Sequence, residues 1–465
     1  MITVLNVLRR MGLVGSSSVP ARAATPRRAS STHHLYIGMA HATYKRASSV
    51  VLLALSLVLI GTPAAAFARA GDKVDGRSPS ALGVSSETMP DVTMAAGELV
   101  AADGRVLWSR KADTRRAMAS LTKIMTAVVA MENSTPNELV KVPAEASRVG
   151  ESTSFLVPGD TIEMDELLEG LLVKSGNDSA VTIADHVAGN ETAFVAMMNK
   201  RAKELGLTHT HFANAHGLDA PGHYTTANDL GTLARFAMTK PEFRRIVGER
   251  TAVVRSKQHS HKVESTNLMI HAYNGATGVK TGYTSDAGRC LVASATRNGI
   301  ELYAVVLGTR SEIRRFAEAR DLLDWGFAHY RPQSLASKGT VLGESVVLDY
   351  LDQTVNGQVS QDATLAVFDL AGPMERRVSM AEQKAPVKRG QRIGVATFTQ
   401  AGDVVATVPL RATIDVKRPN IFARAWIGTV RVWRRIFGGQ LHAAAAAVTN
   451  MRSAASQQEM GAHRA

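Results

Sequence analysis

Residues 277–309, TGVKTGYTSDAGRCLVASATRNGIELYAVVLGT, decide the fold of this chain. Apolar residues follow a period of two through three runs, 277–284, 289–297 and 301–309, which is the spacing of half-buried β-strands. Asn298 and Gly299 lie between the last two runs and form a dipeptide typical of a two-residue hairpin turn. The stretch therefore predicts three neighbouring strands.

The sequence on either side of these strands completes an α+β pattern. Residues 97–110, GELVAADGRVLWSR, hold two apolar runs around an Asp-Gly turn and predict a strand hairpin. Residues 161–206 follow a helical period in several pieces, and residues 314–330 predict a closing helix. We therefore expect an α+β fold, in which helices surround an antiparallel sheet that receives strands from both ends of the domain.

The remaining chain divides by composition. Short apolar runs separated by Gly, Asn-Gly and Asp predict a small all-β domain after residue 331. The predicted segments are a leader (1–70), a flexible lead-in (71–93), the α+β domain (94–331), the small β domain (332–418), an amphipathic helix (419–440) and a disordered tail (441–465).

The net charge of +13 is carried by the two ends of the chain. Residues 1–70 and 419–465 hold fourteen of the 54 Lys and Arg residues but one of the 41 acidic residues, so residues 71–418 carry 40 of each sign. A nucleic-acid-binding groove needs its positive charge on the folded body. The distribution therefore argues against nucleic acid as a partner and favours a membrane surface.

The leader has the order of a secretory signal peptide. Lys45 and Arg46 precede an apolar run at 50–60, and Ala-x-Ala patterns follow at 66–68 and 68–70. We expect cleavage near Ala68 or Ala70, with an uncleaved anchor as the alternative. Translation from Met39 would explain the 38 residues that precede it. The protein is therefore expected to be exported.

Residues 420–439, NIFARAWIGTVRVWRRIFGG, predict an interfacial helix. At 100° per residue its aromatic and aliphatic side chains fall on one face and three arginines on the other, which favours a helix lying on a membrane. The alternative is a helix that docks on its own protein. The apolar face comprises Phe422, Trp426, Val430, Trp433, Ile436 and Phe437, opposite Arg424, Arg431 and Arg435.

Ser120 and Lys123 lie three positions apart at the start of a helical pattern. Residues at this spacing share one helix face, so the lysine amine can lie beside the hydroxyl. A lysine that is held neutral by desolvation can remove the proton of a serine and make it a nucleophile. A serine–lysine pair at this spacing is common, and the pair alone does not establish an enzyme.

Two further triplets follow in the chain. Ser175-Gly176-Asn177 lies at a break between helices, where the serine can relay a proton and the asparagine can orient the lysine and a substrate amide. Lys280-Thr281-Gly282 lies on a predicted strand, where the lysine adds positive charge, the threonine can bind a carboxylate and the glycine leaves room for a substrate. The three triplets in this order indicate a serine enzyme that acts on peptides.

With these triplets the chain resembles the serine DD-carboxypeptidases among the low-molecular-mass penicillin-binding proteins. The resemblance extends to ASLTKIMTA, FLVPGD, LLEGLLVKSGNDSA, HFANAHGLD, YTTANDL and GVKTGYTSDAGRCLVASA, over about residues 93–330. It implies that 94–331 is a transpeptidase-like catalytic domain, that the β domain is the family's spacer, and that the terminal helix is its membrane anchor.

The resemblance also implies roles for single residues. Ser120 would be the acylated nucleophile and Lys123 its general base, and Ser175 and Asn177 would complete the proton-relay network. Lys280 and Thr281 would contact the substrate's terminal carboxylate, and the N–H groups of Ser120 and Tyr283 would form the oxyanion hole. Arg315 fits the place of the family's carboxylate-binding arginine, with Arg314 beside it as the alternative.

The expected reaction removes the terminal D-alanine from peptidoglycan pentapeptide stems, and β-lactams are expected to acylate the same serine. A DD-endopeptidase, a non-catalytic wall-binding scaffold and a class A β-lactamase are alternatives, although residues 204–216 lack the E-x-x-x-N arrangement of the last. No cofactor or metal is implied. The single cysteine, Cys290, is expected to be a buried strand residue. The expected location is the outer face of the bacterial cytoplasmic membrane.

Overall fold

The computed structural model describes residues 71–437 and 448–450. All of these except residue 71 belong to one compact unit that begins at Asp72. The predicted leader (1–70) lies outside the described residues, as does most of the predicted tail (441–465).

Between residues 72 and 309 the structure has ten strands. They are β1 (Asp72–Val74), β2 (Ala96–Ala101), β3 (Val106–Arg110), β4 (Leu139–Lys141), β5 (Thr161–Glu163), β6 (Thr251–Arg255), β7 (Ser260–Glu264), β8 (Ala276–Thr284), β9 (Gly288–Arg297) and β10 (Ile300–Thr309). The main sheet is antiparallel with the order β1-β3-β2-β10-β9-β8, while β4 pairs with β5 and β6 with β7 in two separate ribbons.

The predicted strands 277–284, 289–297 and 301–309 are confirmed as β8, β9 and β10. The turn between β9 and β10 places Asn298 at φ 51° and Gly299 at φ 76°, as a two-residue hairpin with a right-handed twist requires. Cys290 is fully buried on β9, as expected. The hairpin predicted at 97–110 forms β2 and β3, and β2 pairs with β10, so strands from both ends of the domain meet in one sheet.

Eight helices accompany this sheet in the described part of the chain. They are α1 (Lys123–Asn133), α2 (Met164–Glu169), α3 (Asn177–Ala188), α4 (Glu191–Glu204), α5 (Ala227–Met238), α6 (Pro241–Val247), α7 (Met269–Ala272) and α8 (Glu312–His329). Helix α8 packs on the sheet face that carries Leu99, and α5 packs on the opposite face, which carries Val100. Most of the apolar core lies on the α5 side, around helix α1, in which residues 123–130 are all buried.

The segment 71–93 differs from the expected flexible lead-in, because it begins with an edge strand of the main sheet. Arg110 of β3 donates to both carboxylate oxygens of Asp72 at 2.6 and 2.9 Å, and both side chains are buried. Val74 is also fully buried. A three-residue strand has no detectable period in the sequence, and the buried ion pair fixes it to the sheet.

The small all-β domain is confirmed. Its strands are β11 (Tyr330–Ala336), β12 (Val341–Val346), β13 (Thr354–Val359), β14 (Ala363–Phe368), β15 (Met374–Met380), β16 (Arg392–Gln400) and β17 (Asp403–Ala412), and β18 (Val448–Asn450) pairs with β15. One sheet pairs β11 with β14, and the other has the order β12-β13-β17-β16-β15-β18. The domain begins at Tyr330, two residues before the predicted boundary, because α8 leads directly into β11.

Phe368 joins the two domains. Its ring lies 5.8 Å from that of Trp325 in α8 and 6.5 Å from that of Tyr330, both edge to face. The Arg105 guanidinium lies 5.5 Å from its ring centroid. The Tyr330 hydroxyl donates to Asp103 at 2.7 Å. The β domain is thereby attached to the β2–β3 hairpin and to α8.

The terminal helix, α9, spans Ile421–Phe437. Ile427 is buried, Arg431 donates to the carbonyl oxygens of Leu348 and Tyr350, and Arg434 pairs with Asp352 at 3.5 Å. The apolar side chains with large exposure are Ile421, Phe422, Trp426, Val432, Trp433, Ile436 and Phe437. Among the described residues, no helix combines the length and hydropathy needed to cross a bilayer.

Candidate active site

A cavity of about 400 Å³ opens where the start of α1, the start of α3 and strand β8 meet. Members of all three predicted triplets line it. The lining residues are Ser120, Glu151, Ser152, Ser175, Asn177, Thr266, Leu268, Thr281, Gly282, Tyr283, Arg289, Glu312 and Arg315. The structure therefore brings together residues from three distant parts of the sequence.

Ser120 lies in a turn of 3-10 helix, Ala119–Thr122, that leads directly into α1. Ala119 has a φ of 51°, a left-handed conformation that costs free energy for any residue with a Cβ atom. The Thr122 hydroxyl donates to the Ala119 carbonyl at 2.8 Å and thereby braces this turn. The serine hydroxyl is thus held at the cavity wall by a locally strained but well-supported backbone.

His223 supports the same turn from behind. Its Nδ1 accepts a hydrogen bond from the Ala213 N–H at 2.9 Å, so the ring proton of the neutral form lies on Nε2, which is 2.7 Å from the Thr122 hydroxyl. Burial lowers the pKa of His223 to about 4. His223 is therefore neutral near pH 7 and acts as a fixed hydrogen-bond donor to Thr122.

Lys123 is fully buried, with its amine directed at the serine. Its Nζ lies 3.0 Å from the Ser120 Oγ, 2.6 Å from the Asn177 Oδ1 and 2.6 Å from the His216 carbonyl oxygen. Desolvation by burial lowers the pKa of Lys123 to about 7, against the opposing influence of Asp178 and Glu151. A substantial fraction of the amine is therefore uncharged near neutral pH.

The geometry around Lys123 suits the uncharged form. A neutral amine has two N–H donors and one lone pair. The Asn177 Oδ1 and the His216 carbonyl can accept only, so they take the two N–H groups. The lone pair is then left for the hydroxyl proton of Ser120.

Ser175 and Asn177 lie where one helical segment ends and α3 begins. A π-helical turn, Gly170–Lys174, precedes Ser175, which adopts a left-handed φ of 68°. Such turns occur often at functional sites because they redirect side chains. Asn177 is the first residue of α3, and its Nδ2 donates to the Gly150 carbonyl at 3.0 Å, which fixes its Oδ1 toward Lys123.

Lys280 lies behind the cavity wall and is buried. Its Nζ donates to the Ser175 Oγ at 2.8 Å and to the Thr281 carbonyl at 2.9 Å. Desolvation lowers its pKa well below the ordinary value, and the nearby charges of Lys123 and Arg315 act in the same direction. The predicted contact between Lys280 and the substrate carboxylate stays a prediction; the amine's hydrogen-bond partners in this structure are the Ser175 hydroxyl and the Thr281 carbonyl.

Gly282 allows β8 to pass against the turn that carries Ser120. A Cβ atom at Gly282 would lie 3.0 Å from the Ala119 Cβ and 3.1 Å from the Ser120 nitrogen, which is tighter than most Cβ contacts and would require the neighbouring atoms to shift. This close approach places the backbone of Tyr283 beside that of Ser120. The Thr281 hydroxyl lies 2.6 Å from that of Thr266 at the cavity wall.

Arg315 is the buried arginine at the far end of the cavity. Its side chain is 6 % exposed, and its Nη1 donates to the Gly282 carbonyl at 3.1 Å. Arg314 instead pairs with Glu318 at 3.1 Å and does not line the cavity. Of the two adjacent arginines, the structure therefore brings Arg315 to the site.

Sequence reasoning missed several residues of this neighbourhood. Asp178 accepts hydrogen bonds from the backbone N–H groups of Ser154 and Leu156. It thereby fixes the loop 151–156, in which Glu151 and Ser152 line the cavity. Arg289 and Glu312 also line the cavity. Asp178 follows the second triplet directly and could have been examined from the sequence, whereas the other two carry no local signal.

Two family models match the chain. The model described as D-alanyl-D-alanine carboxypeptidase matches residues 85–311, and the one described as penicillin-binding protein 5, C-terminal domain, matches residues 330–418. The second match coincides with the all-β domain.

Similar proteins cover most of the chain. D-alanyl-D-alanine carboxypeptidase DacF from Bacillus subtilis is 31 % identical over 375 residues, which are 78 % of this chain and 94 % of that protein. D-alanyl-D-alanine carboxypeptidase DacC from Escherichia coli is 32 % identical over 356 residues, 72 % and 87 % of the two chains.

Solved structures agree with these matches. The D-alanyl-D-alanine carboxypeptidase DacD from Francisella tularensis matches with a TM-score of 0.55 and 25 % identity, over 71 % of this chain and 95 % of that one. Penicillin-binding protein 5 from Haemophilus influenzae matches with a TM-score of 0.54 and 28 % identity, over 71 % and 99 %.

Proposed function

The chain belongs to the D-alanyl-D-alanine carboxypeptidase family of serine peptidases, and we propose that it removes the terminal D-alanine of peptidoglycan pentapeptide stems through an acyl-enzyme on Ser120. The observation that carries this proposal is the buried Lys123 amine, 3.0 Å from the serine hydroxyl, with both its N–H groups directed at carbonyl oxygens. The relatives are named carboxypeptidases, which favours this reaction over cross-link cleavage or a scaffold role.

In the acylation step, Lys123 takes the hydroxyl proton of Ser120 as its oxygen attacks the carbonyl carbon of the penultimate D-alanine. The backbone N–H groups of Ser120 and Tyr283 stabilise the oxyanion. As the C–N bond breaks, the proton that Lys123 took from Ser120 passes to the leaving D-alanine nitrogen with the Ser175 hydroxyl as the relay, so Lys123 is neutral again; Ser175 is held by its 2.8 Å contact with the Lys280 amine. The products are free D-alanine and an ester on Ser120.

In the deacylation step, water attacks the ester carbonyl while Lys123 accepts a proton from it. The bond to the Ser120 oxygen then breaks, and that oxygen regains its proton from Lys123. One water is consumed, and the shortened stem peptide leaves as a carboxylic acid. Asn177 holds the lysine amine in place throughout, through its 2.6 Å contact.

The substrate's terminal carboxylate binds at the end of the cavity that holds Thr281 and Arg315. A hydroxyl and a guanidinium are both donors that a carboxylate accepts from. We propose that Lys280, whose amine contacts Ser175 directly, also contributes to binding this carboxylate. β-Lactams, which also carry a carboxylate, acylate the same serine.

The protein acts outside the cytoplasmic membrane, where peptidoglycan is found. We further propose that the apolar residues of α9 attach it to the membrane surface. Trp426 and Trp433 are 67 % and 62 % exposed, while Arg431 and Arg434 contact the β domain. Helix α9 can therefore contact the β domain through its arginines and the membrane through its tryptophans at the same time, because these side chains lie on different sides of the helix.

Labelling with a fluorescent penicillin tests the nucleophile. The wild-type protein should become covalently labelled and the Ser120→Ala variant should not. Mass spectrometry of purified pentapeptide muropeptides should show the loss of one alanine with wild type only. Equal labelling of both proteins would refute the assignment of Ser120.

A further inference from the structure

The end of the cavity near Arg315 holds a second arginine and a glutamate. Glu312 accepts from the Arg315 Nη2 with one carboxylate oxygen. Its other oxygen accepts from the Arg289 Nη1 at 2.8 Å. All three residues line the cavity, so a single internal carboxylate joins two guanidinium groups at the position where a substrate carboxylate is expected.

Arg289 is held in a defined position at this end of the cavity. It lies on β9 directly opposite Tyr283 of β8. Its guanidinium carbon is 3.7 Å from the centroid of the Tyr283 ring, a stacked cation–π contact. Its side chain is 33 % exposed, so it is anchored by the ring and by Glu312 but remains open to the cavity.

The charges at this end of the cavity do not balance. Two guanidinium groups share one carboxylate, which leaves one positive charge for a ligand. A buried arginine without a counter-ion is strongly disfavoured. Glu312 supplies that counter-ion to Arg315 in the free protein, and it occupies donors that a bound carboxylate would otherwise use.

We propose that Arg289 is a second carboxylate-binding residue and that Glu312 is an internal anion that competes with the substrate's terminal carboxylate for Arg289 and Arg315. This inference rests on the proposed function, which it extends to substrate selection. On binding, the terminal carboxylate takes over donors from Glu312, and the free acid is preferred to a neutral C-terminus. Arg289 and Glu312 are thus specificity residues that act on substrate binding.

The proposal predicts effects of opposite sign. Arg289→Gln removes a donor and should weaken the binding of a peptide with a free carboxylate. Glu312→Gln removes the competing charge, keeps the side-chain shape and should strengthen the same binding. A pair that serves only to stabilise the fold would give losses in both variants.

The experiment uses the full-length chain with Ser120→Ala, which prevents turnover. Calorimetry would measure the dissociation constants of an N-acyl peptide ending in D-Ala-D-Ala and of the same peptide with a C-terminal amide. We expect Arg289→Gln to weaken binding of the acid by about tenfold and Glu312→Gln to tighten it by about threefold or more, with little change for the amide.

Arg297→Gln is the matched control. Arg297 lies on the same strand, pairs with Asp324 at 3.0 Å and stacks over Tyr273 at 4.5 Å, but it does not line the cavity. It should leave both dissociation constants unchanged. Equal effects on acid and amide, or weaker acid binding in Glu312→Gln, would overturn the inference.

Penicillin labelling of the corresponding variants with Ser120 intact separates this outcome from failure of the proposed function. If the Arg289→Gln and Glu312→Gln proteins are labelled and active but keep the wild-type preference for the acid over the amide, this inference alone is refuted. A wild-type protein that is neither labelled nor releases D-alanine would remove the proposed function instead.

Discussion

Lys123 sits in a low-dielectric interior that disfavours its charge, yet its three polar neighbours give the amine a full set of hydrogen bonds. Burial lowers its pKa to about 7, while Asp178 and Glu151 limit the shift. Burial thus dominates the pKa of Lys123, and two carboxylates that are not among its three hydrogen-bond partners partly oppose the shift.

The first prediction concerns the pH dependence of acylation. Protonated Lys123 has no lone pair for the serine proton, so the acylation rate with a fluorescent penicillin should rise about tenfold per pH unit below pH 7 and level off above it. The sign follows from a base whose pKa lies near 7 and which is active when deprotonated. Stopped-flow fluorescence between pH 5 and 9 would measure this profile.

Lys123→Arg provides the companion variant. Arginine stays protonated throughout this range, so the acylation rate should fall by at least about a hundredfold and its pH profile should become flat. Circular dichroism at each pH would show that the protein remains folded. A wild-type rate that is independent of pH from 5 to 9 would rule out Lys123 as the base.

Several residues of the candidate site were predictable because their signal is local. Ser120 and Lys123 lie one helical turn apart, and Ser175 and Asn177 stand at a visible break between helical patterns. Arg289 and Glu312 were not predictable, because their pairing depends on α8 crossing β9. The contact between Lys280 and Ser175 likewise depends on how β8 meets the start of α3.

At the scale of elements, β1 depends on the buried pair of Asp72 and Arg110. Asp72→Asn would leave the arginine buried without its counter-ion, and we expect it to lower the free energy of unfolding by about 3–5 kcal/mol. Urea denaturation would measure this loss. The control variant Glu145→Gln breaks the ion pair between Glu145 and Arg148, whose side chains are 67 % and 75 % exposed. It should change the free energy of unfolding by less than about 1 kcal/mol. Equal effects would contradict a structural role for β1.

Helix α9 gives the second element-scale prediction. Removal of residues 420–465 should release the protein from anionic vesicles while leaving its penicillin acylation rate unchanged. Trp433→Ala should weaken vesicle binding by about tenfold or more, because it removes a large apolar side chain from the membrane interface. Thr429→Ala, a small exposed change on the same helix, is the control. Continued sedimentation of the truncated protein with vesicles would contradict the membrane proposal.

Elements with a strong apolar pattern were predicted well and those without one were not. The strands β9 and β10 contain the continuous apolar runs 290–293 and 302–307, and the turn signals between the strands are explicit. The strand β1 has three residues, two of them charged, and is recognisable only through its partner Arg110. Local pattern therefore predicts long elements, whereas short ones are defined by contacts with distant residues.

At the scale of the molecule, Phe368 couples the two domains. Phe368→Ala would leave a cavity against Trp325 and Tyr330 and should lower the free energy of unfolding by about 3–5 kcal/mol. We expect calorimetry to show the β domain unfolding in a separate, earlier transition, with penicillin acylation unchanged at 25 °C. Val404→Ala, at a 62 % exposed position, should have no such effect. A single transition at the wild-type temperature would contradict this coupling.

The fold class and the all-β domain were predictable because composition and period change clearly along the chain. The strand order was predictable only as far as adjacent hairpins. The pairing of β2 with β10 joins segments far apart in sequence, and no local pattern specifies which strands from the two ends become neighbours. The contact between Phe368 and Trp325 is of the same kind.

The pairing of β2 with β10 also affects when the enzyme becomes competent. Leu99 finds its partner Ala304 only after nearly the whole catalytic domain has been synthesised. Strand β8, which forms one wall of the cavity, is synthesised almost as late. A nascent chain that already contains Ser120 therefore has no complete cavity around it. A polypeptide threaded through the secretion machinery would therefore remain inert until its last central strand emerged on the far side.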